Sequence, residues 1–271
     1  MIMNMATYGG VKQEFGFTYT GDYTDRLITY NSETYRLLTF TSSGIFTPNQ
    51  SFVGDIWMCG GGGNGADASQ DNYSGGGGAG GFATSANGLS FSPQGHNVAV
   101  GNAGELTSAF GYSADPGSSA TNGEGASGGS GGGGGTVHHN VSGWGDDVDA
   151  ESGGSGDGVS KIPFGDSENF QPHCAGGGGG ARIISMEVSG GNGGSNGANG
   201  SKGAQQSENG GSGGSYGGGN GGGNNSGQAE DGNDATYYGG GGGGGSEGGN
   251  LSWPGNGGSG YQGVVYVRIK Q

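Results

Sequence analysis

Glycine returns at every third position across residues 191–203, at Gly191, Gly194, Gly197, Gly200 and Gly203, and no other feature constrains this chain as much. A polyproline II helix has three residues per turn and rises about 3.1 Å per residue, so such a phase leaves one edge of an extended rod bare. The same phase recurs at Gly75, Gly78 and Gly81, at Gly128, Gly131 and Gly134, and at Gly213, Gly219 and Gly222 with Tyr216 in the remaining place. Gly239 to Gly245 are seven consecutive glycines, bare in every direction, as a rod at the centre of a bundle requires. Gly78, Gly131, Gly134, Gly178, Gly191, Gly194, Gly197, Gly200 and Gly242 are therefore the expected core of a glycine bundle. Rods without Cβ atoms can approach until N–H groups of one reach carbonyls of the next, helped by weak Cα–H contacts. Ordering each glycine costs about 0.5–1 kcal/mol more than ordering alanine, so only near-complete hydrogen bonding can hold such a body together.

The alternatives are a flexible glycine-serine linker and another β-rich arrangement. Collagen is excluded, because the phase is never sustained and the chain has only six prolines. With 77 glycines in 271 residues and a hydrophobic fraction of 28%, side chains cannot fill a large core, which disfavours helix bundles and doubly wound sheets.

The ends read differently. The stretches "FGFTYTGDYTD", "TYRLLTFTSSG" and "SFVGDIWMC" are rich in aromatic and β-branched residues and predict antiparallel strands, with turns at Gly21-Asp22, Asn31-Ser32 and Pro48-Asn49. At the other end Val265, Val267 and Ile269 alternate with Tyr266, Arg268 and Lys270, which predicts a strand with one buried face. Shorter strands are expected at 97–100, 107–110 and 181–188, and "KIPFGDSENFQPHCAG" reads as an ordered loop. The expected fold is mostly β and polyproline II, with N-terminal antiparallel strands and a C-terminal strand flanking a bundle of glycine-rich rods with projecting loops. Residues 1–58 form a β-rich attachment region; residues 59–271 form the bundle, closed by a strand at 263–270.

A net charge of −15 disfavours nucleic acid and anionic lipid as partners. RNA binding by glycine-rich aromatic segments needs cations, and between Gly60 and Gly260 these are almost confined to Lys161, Arg182 and Lys202. No apolar run is long enough to span a membrane, and Met1 to Tyr8 lacks the basic start and apolar stretch of a secretion signal. Cys59 and Cys174, each next to a glycine block, make no disulfide framework and are expected apart rather than adjacent.

No constellation points to catalysis, a metal or a cofactor. The acidic stretch "GWGDDVDAESGGSGDG" lacks the ligand order of a calcium loop and reads as a solvated loop. His138 and His139 are sequence neighbours, and His96 and His173 have no partner at ligand spacing. "NGSKGA" has a lysine without the phosphate-loop context. The aromatics between glycine segments are the better candidates for contact: Tyr73, Trp144, Tyr216, Tyr237, Tyr238 and Trp253 stand where rods must turn. Such rings either bind a partner, including the faces of sugars, or cap the bundle ends against water.

With "LLTFTSSGIFTPNQSFVGDIWMCGGGGNG", "GGGGAGGF", "PHCAGGGGGA" and the closing "GNGGSGYQGVVYVRIK", the chain from about Thr39 to Gln271 resembles the glycine-rich domain of tailed-bacteriophage tail and tail-fibre proteins. It is more distantly similar to the polyproline II sandwich adhesins that cap the long tail fibres of T-even-like phages. The resemblance implies a virion tail component made in the host cytoplasm and released by lysis. Its N-terminal strands would mount it on other tail, fibre or baseplate proteins, and its loops would meet a host surface glycan or outer protein. A purely structural cap or decoration is the alternative, and a homotrimer is compatible with either.

Overall fold

The computed structural model describes residues 15–69, 73–139, 147–150, 153–157, 161–180, 212–225, 228–247 and 253–271. The aromatic N-terminal part folds into β1 (Phe17–Tyr19), β2 (Tyr23–Tyr30), β3 (Glu33–Phe40), β4 (Gly44–Pro48) and β5 (Phe52–Cys59). After a glycine-rich excursion come β6 (Ala83–Phe91), β7 (His96–Ala99), β8 (Thr107–Ala109) and β9 (Tyr112–Ala114). Two small hairpins follow, β10 (Thr136–His139) with β11 (Asp147–Ala150) and β12 (Asn224–Asn225) with β13 (Gln228–Ala229), before the final strand β14 (Val264–Lys270).

Nine of these strands and β14 make two five-stranded antiparallel sheets, in the orders β2-β3-β14-β5-β6 and β1-β4-β7-β8-β9. Leu38, Phe40, Ile56, Met58, Val265, Val267 and Ile269 from the first sheet share one buried apolar cluster with Phe46, Val98, Ala109 and Ala114 from the second. The sheets thus pack face to face, and residues two apart on β3, β5 and β14 supply the first sheet's share of the core. Asn31 and Ser32, at φ of 49° and 63°, make the tight turn joining β2 to β3 at the predicted place.

β14 departs from expectation on its second face. Tyr266 and Arg268 are buried as well, because the ordered loop around 161–174 lies over that side of the sheet. Phe170, Cys174, Ile162 and Phe164 pack there against Leu37, Trp57, Cys59, Val264 and Tyr266. The Arg268 guanidinium pairs with Asp55 at 2.8 Å and lies 4.4 Å from the Phe164 ring centroid and 4.8 Å from that of Tyr35. Its charge is therefore matched on both the polar and aromatic sides.

The glycine segments leave the same end of the sandwich. Gly60 follows β5, Phe82 precedes β6, Asp115 follows β9 and Gly263 precedes β14. Outside the named strands their backbone bonds repeat every third residue. The N–H groups of Gly62, Gly65 and Ala68 donate to the carbonyls of Tyr261, Gly258 and Gly255, each at 2.9 Å. Those of Gly75, Gly78 and Gly81 donate to Gly245, Gly242 and Gly239, each at 2.8 Å.

The seven-glycine run is bonded all round. Gly242 and Gly245 donate to Gly63 and Ala66, Gly241 and Gly244 to Ala175 and Gly178, and Gly243 and Ser246 to Asn233 and Glu230. Its carbonyls accept from three further segments: Gly242 and Gly245 from Gly78 and Gly75, Gly243 and Ser246 from Gly258 and Gly255, and Gly241 and Gly244 from Gly219 and Gly222. Three donor directions and three acceptor directions surround one rod with six others, and the dense interior is main chain. A Cβ added at Gly242 would overlap the carbonyl of Gly258, so the close approach itself requires glycine there.

Candidate functional site

The hydrogen-bond register gives the bundle two ends. Gly60, Gly81, Cys174, Gly239 and Gly263 lie at the sandwich end, while Ala68, Gly75, Gly180, Ser246 and Gly255 lie at the far end. β10 follows directly after Gly135, which neighbours Ser74, and the β12–β13 hairpin is closed by Glu230 donating to Gly223 at 3.1 Å. Both small hairpins therefore rise at the far end, together with the antiparallel bridge between Ser69 and Tyr73.

The aromatic candidates separate along this axis. Tyr237 and Tyr238 are half-buried at the sandwich end, with ring centroids 4.9 and 5.9 Å from that of His173. Trp57 and Tyr266 pack on the same histidine at 5.1 and 5.6 Å, and Tyr261 lies 5.8 Å from Tyr238. Tyr216 stands nearby on a turn with φ of 75°, half exposed, where Gly217 accepts from Thr236 at 2.9 Å. Tyr73 and Trp253 are at the far end. Tyr73 is half-buried and accepts from Ser69 at 2.9 Å, and Trp253 is 88% exposed. Trp144 lies outside the described residues.

Of the expected core glycines, Gly78, Gly131, Gly134, Gly178 and Gly242 are buried in the bundle. Gly191, Gly194, Gly197 and Gly200 lie outside the described residues, as does the strand expected at 181–188.

Beside Tyr73 lies an open groove of about 470 Å³, where residues 64–67, 73, 119–121 and 257–259 meet. Its walls are held by side chains at three-residue spacing. Asn64 Oδ1 accepts from the N–H of Gly260 at 2.9 Å and Asp67 Oδ1 from that of Gly257 at 2.8 Å. On the neighbouring segment Asp231 and Asp234 accept from Asn256 and Ser259 at 2.7 and 2.6 Å. Side-chain acceptors thus complete the edge of the outer rod where no further rod is available. The composition-led reading missed these residues; their signal is the spacing of Asn64 to Asp67 and of Asp231 to Asp234, one turn apart.

Burial governs the electrostatics at the sandwich end. His173 is pushed down to about 4 by desolvation. Its Nδ1–H donates to the Gln171 carbonyl at 2.9 Å, so Nε2 accepts the Tyr266 hydroxyl at 2.9 Å, and the same burial raises the phenol of Tyr266. Lys161, fully buried, pairs with Asp157 at 2.6 Å.

Contrary to expectation, Cys59 and Cys174 come together. Cys59 ends β5 just where the 161–174 loop enters the bundle, and the two thiols are free and hydrogen-bonded to each other. A Cβ at Gly239 would stand 2.7 Å from Cys174 Sγ and 3.2 Å from Cys59 Sγ, so the rod's first glycine makes room for both sulfurs. Burial raises the Cys59 thiol, which makes it a packing group rather than a nucleophile.

The acidic stretch is corrected in part. Asp147 and Asp149 stand in β11, opposite His139 and Val137 of β10, in keeping with the β preference of Val137, Thr136 and Val148. Among the described residues no group of three or more His, Cys, Asp or Glu is placed to hold a metal ion, and no helix is long and apolar enough to cross a membrane.

A sandwich that feeds its strands into a body with a main-chain interior defines a class of glycine-rich, mostly-β structural domain. The chain belongs to the glycine-rich domain family, whose model matches residues 41–270. A search of curated proteins found no match.

Proposed function

We propose that this chain is a non-catalytic virion protein of a tailed bacteriophage, at the tail or fibre tip, which holds a host surface receptor at the far end of its glycine bundle. The observation that carries this reading is the common register of the rods. Because neighbouring segments bond every third residue, both small hairpins and the bridge between Ser69 and Tyr73 lie at one end, opposite the sandwich. A stiff body that presents loops at its tip suits adhesion, since little conformational freedom is lost on contact. The three-residue repeat supports reading the rods as polyproline II helices, whose exposed tip carries Trp253.

In this reading the N-terminal strands mount the protein on other tail or fibre proteins, as one copy or a trimer. The receptor is a surface glycan or outer protein, and the net charge of −15 speaks against nucleic acid. The protein leaves its host by lysis and inserts into no membrane. A purely structural role, as a cap or decoration, is favoured by one observation: Tyr237 and Tyr238 pack on His173 and close the bundle against the sandwich.

Purified protein is applied to cells of candidate host strains beside Trp253→Ala and Tyr216→Ala. The adhesive reading expects Trp253→Ala to lose adsorption while keeping the wild-type melting curve, and Tyr216→Ala to adsorb normally. A well-folded wild type that adsorbs to no strain on which the virus plates turns the assignment to the structural role.

A further inference from the structure

Resting on the adhesive reading above, we infer that the groove beside Tyr73 is a binding site for an uncharged saccharide. Three properties of the groove select this ligand class. First, its volume of about 470 Å³ is that of a small-molecule cleft. Second, its polar lining comes from Asn64, Asp67, Ser119, Thr121 and Ser259, with Tyr73 as the single aromatic side chain. A purely apolar ligand would strip water from these groups without replacing their hydrogen bonds. A sugar ring offers hydroxyls that donate to the carboxylate and exchange bonds with the serine and threonine hydroxyls, and a C–H face that suits a phenol ring. Third, among the described residues no lysine, arginine or histidine lines the groove, so an anionic sugar would meet Asp67 with nothing to compensate the repulsion.

The groove is also preformed. Asn64 is held through its side chain by Gly260, through its N–H by Ser119 Oγ at 3.0 Å and through its carbonyl by Ala120 at 2.9 Å. Asp67 uses Oδ1 on Gly257, and Gly65 donates to Gly258 at 2.9 Å across the floor. Binding therefore requires little ordering of the walls, which cuts the entropic cost of association. The three-residue spacing that completes the rod's edge also places Asn64 and Asp67 side by side on the groove.

The test is saturation-transfer NMR and calorimetry on the full chain with a defined panel: glucose, galactose, mannose, N-acetylglucosamine and their β-linked disaccharides, with N-acetylneuraminic acid and a sulfated disaccharide as anionic members. Two variants spare the bonds that hold the bundle: Tyr73→Ala, and Thr121→Trp, which fills the groove from an exposed position. The inference expects saturation transfer to at least one neutral member and none to the anionic ones, and at least tenfold weaker binding in both variants with unchanged melting curves. It is overturned by a panel without any neutral binder, by binding that both variants retain, or by preference for the anionic members. Adsorption to host cells by the same wild-type preparation, in the absence of any neutral binder, removes the groove and leaves the adhesive reading standing.

Discussion

His173 is neutral because the fold allows nothing else: its Nδ1–H is committed to Gln171, its Nε2 to the Tyr266 hydroxyl, and aromatic rings cover it on several sides. With its folded pKa lowered to about 4, against an ordinary value near 6.5, the unfolded chain takes up the proton first as pH falls. The contribution of the neutral ring to stability is complete above about pH 6.5, is lost between there and pH 4, and changes no further below. That window corresponds to about 3 kcal/mol. Urea unfolding at pH 7 and pH 4.5 should show His173→Gln losing about 2–3 kcal/mol less than wild type over the interval, the carboxylates contributing equally to both. Equal losses would mean that the imidazole is protonated within the fold. The sequence marked His173 only as a histidine without ligand spacing. Its role follows from Tyr266 and Gln171, which stand 93 residues and two residues away, so only the second contact was local.

At the scale of an element, the rod from Gly239 to Ser246 resembles neither a helix nor a strand, since successive main-chain groups look to different neighbours and only every third returns to the same one. A side chain at any of Gly240 to Gly245 would push a neighbouring backbone, which cannot rotate aside as a side chain can. Gly242→Ala should therefore cost about 3 kcal/mol, the upper end for an overpacked interior, seen as a lower melting temperature and faster amide exchange in the surrounding segments. An alanine variant that melts with wild type would show that the rods stand farther apart. This element was legible, because seven consecutive glycines admit few other uses in an ordered body. β6 was not: "ATSANGLSF" is small and polar, and its place at the sheet edge rests on pairing with β5 across an irregularity where Gly88 donates to Asp55 at 2.9 Å. The polar edge of the outer rod was also overlooked. Asp231, Asp234, Asn64 and Asp67 look like solubilising residues until the N–H groups of Asn256, Gly257, Ser259 and Gly260, which face away from the other rods, are laid beside them.

For the molecule as a whole, β14 joins the two kinds of interior. It enters from the bundle at Gly263, lies between β3 and β5, and buries Val265, Val267 and Ile269 on one face and Val264, Tyr266 and Arg268 on the other. Deleting residues 264–271 removes two ladders and part of both apolar clusters, and should abolish the cooperative thermal transition. A truncated chain that still melts in one sharp step would make the sheet dispensable to the bundle. The sequence by itself determined the local geometry: alternating apolar residues made strands at both ends, and glycine at three-residue spacing made bare rods between them, since both follow from the sterics of one short stretch. Only the tertiary structure decided which rod lies beside which, that both faces of β14 are covered, that Cys59 meets Cys174, and that the aromatics divide between the two ends of the bundle. Those choices depend on hydrogen bonds between residues as far apart as Asn64 and Gly260, and a glycine, having no side chain, carries no mark of the partner its backbone will find.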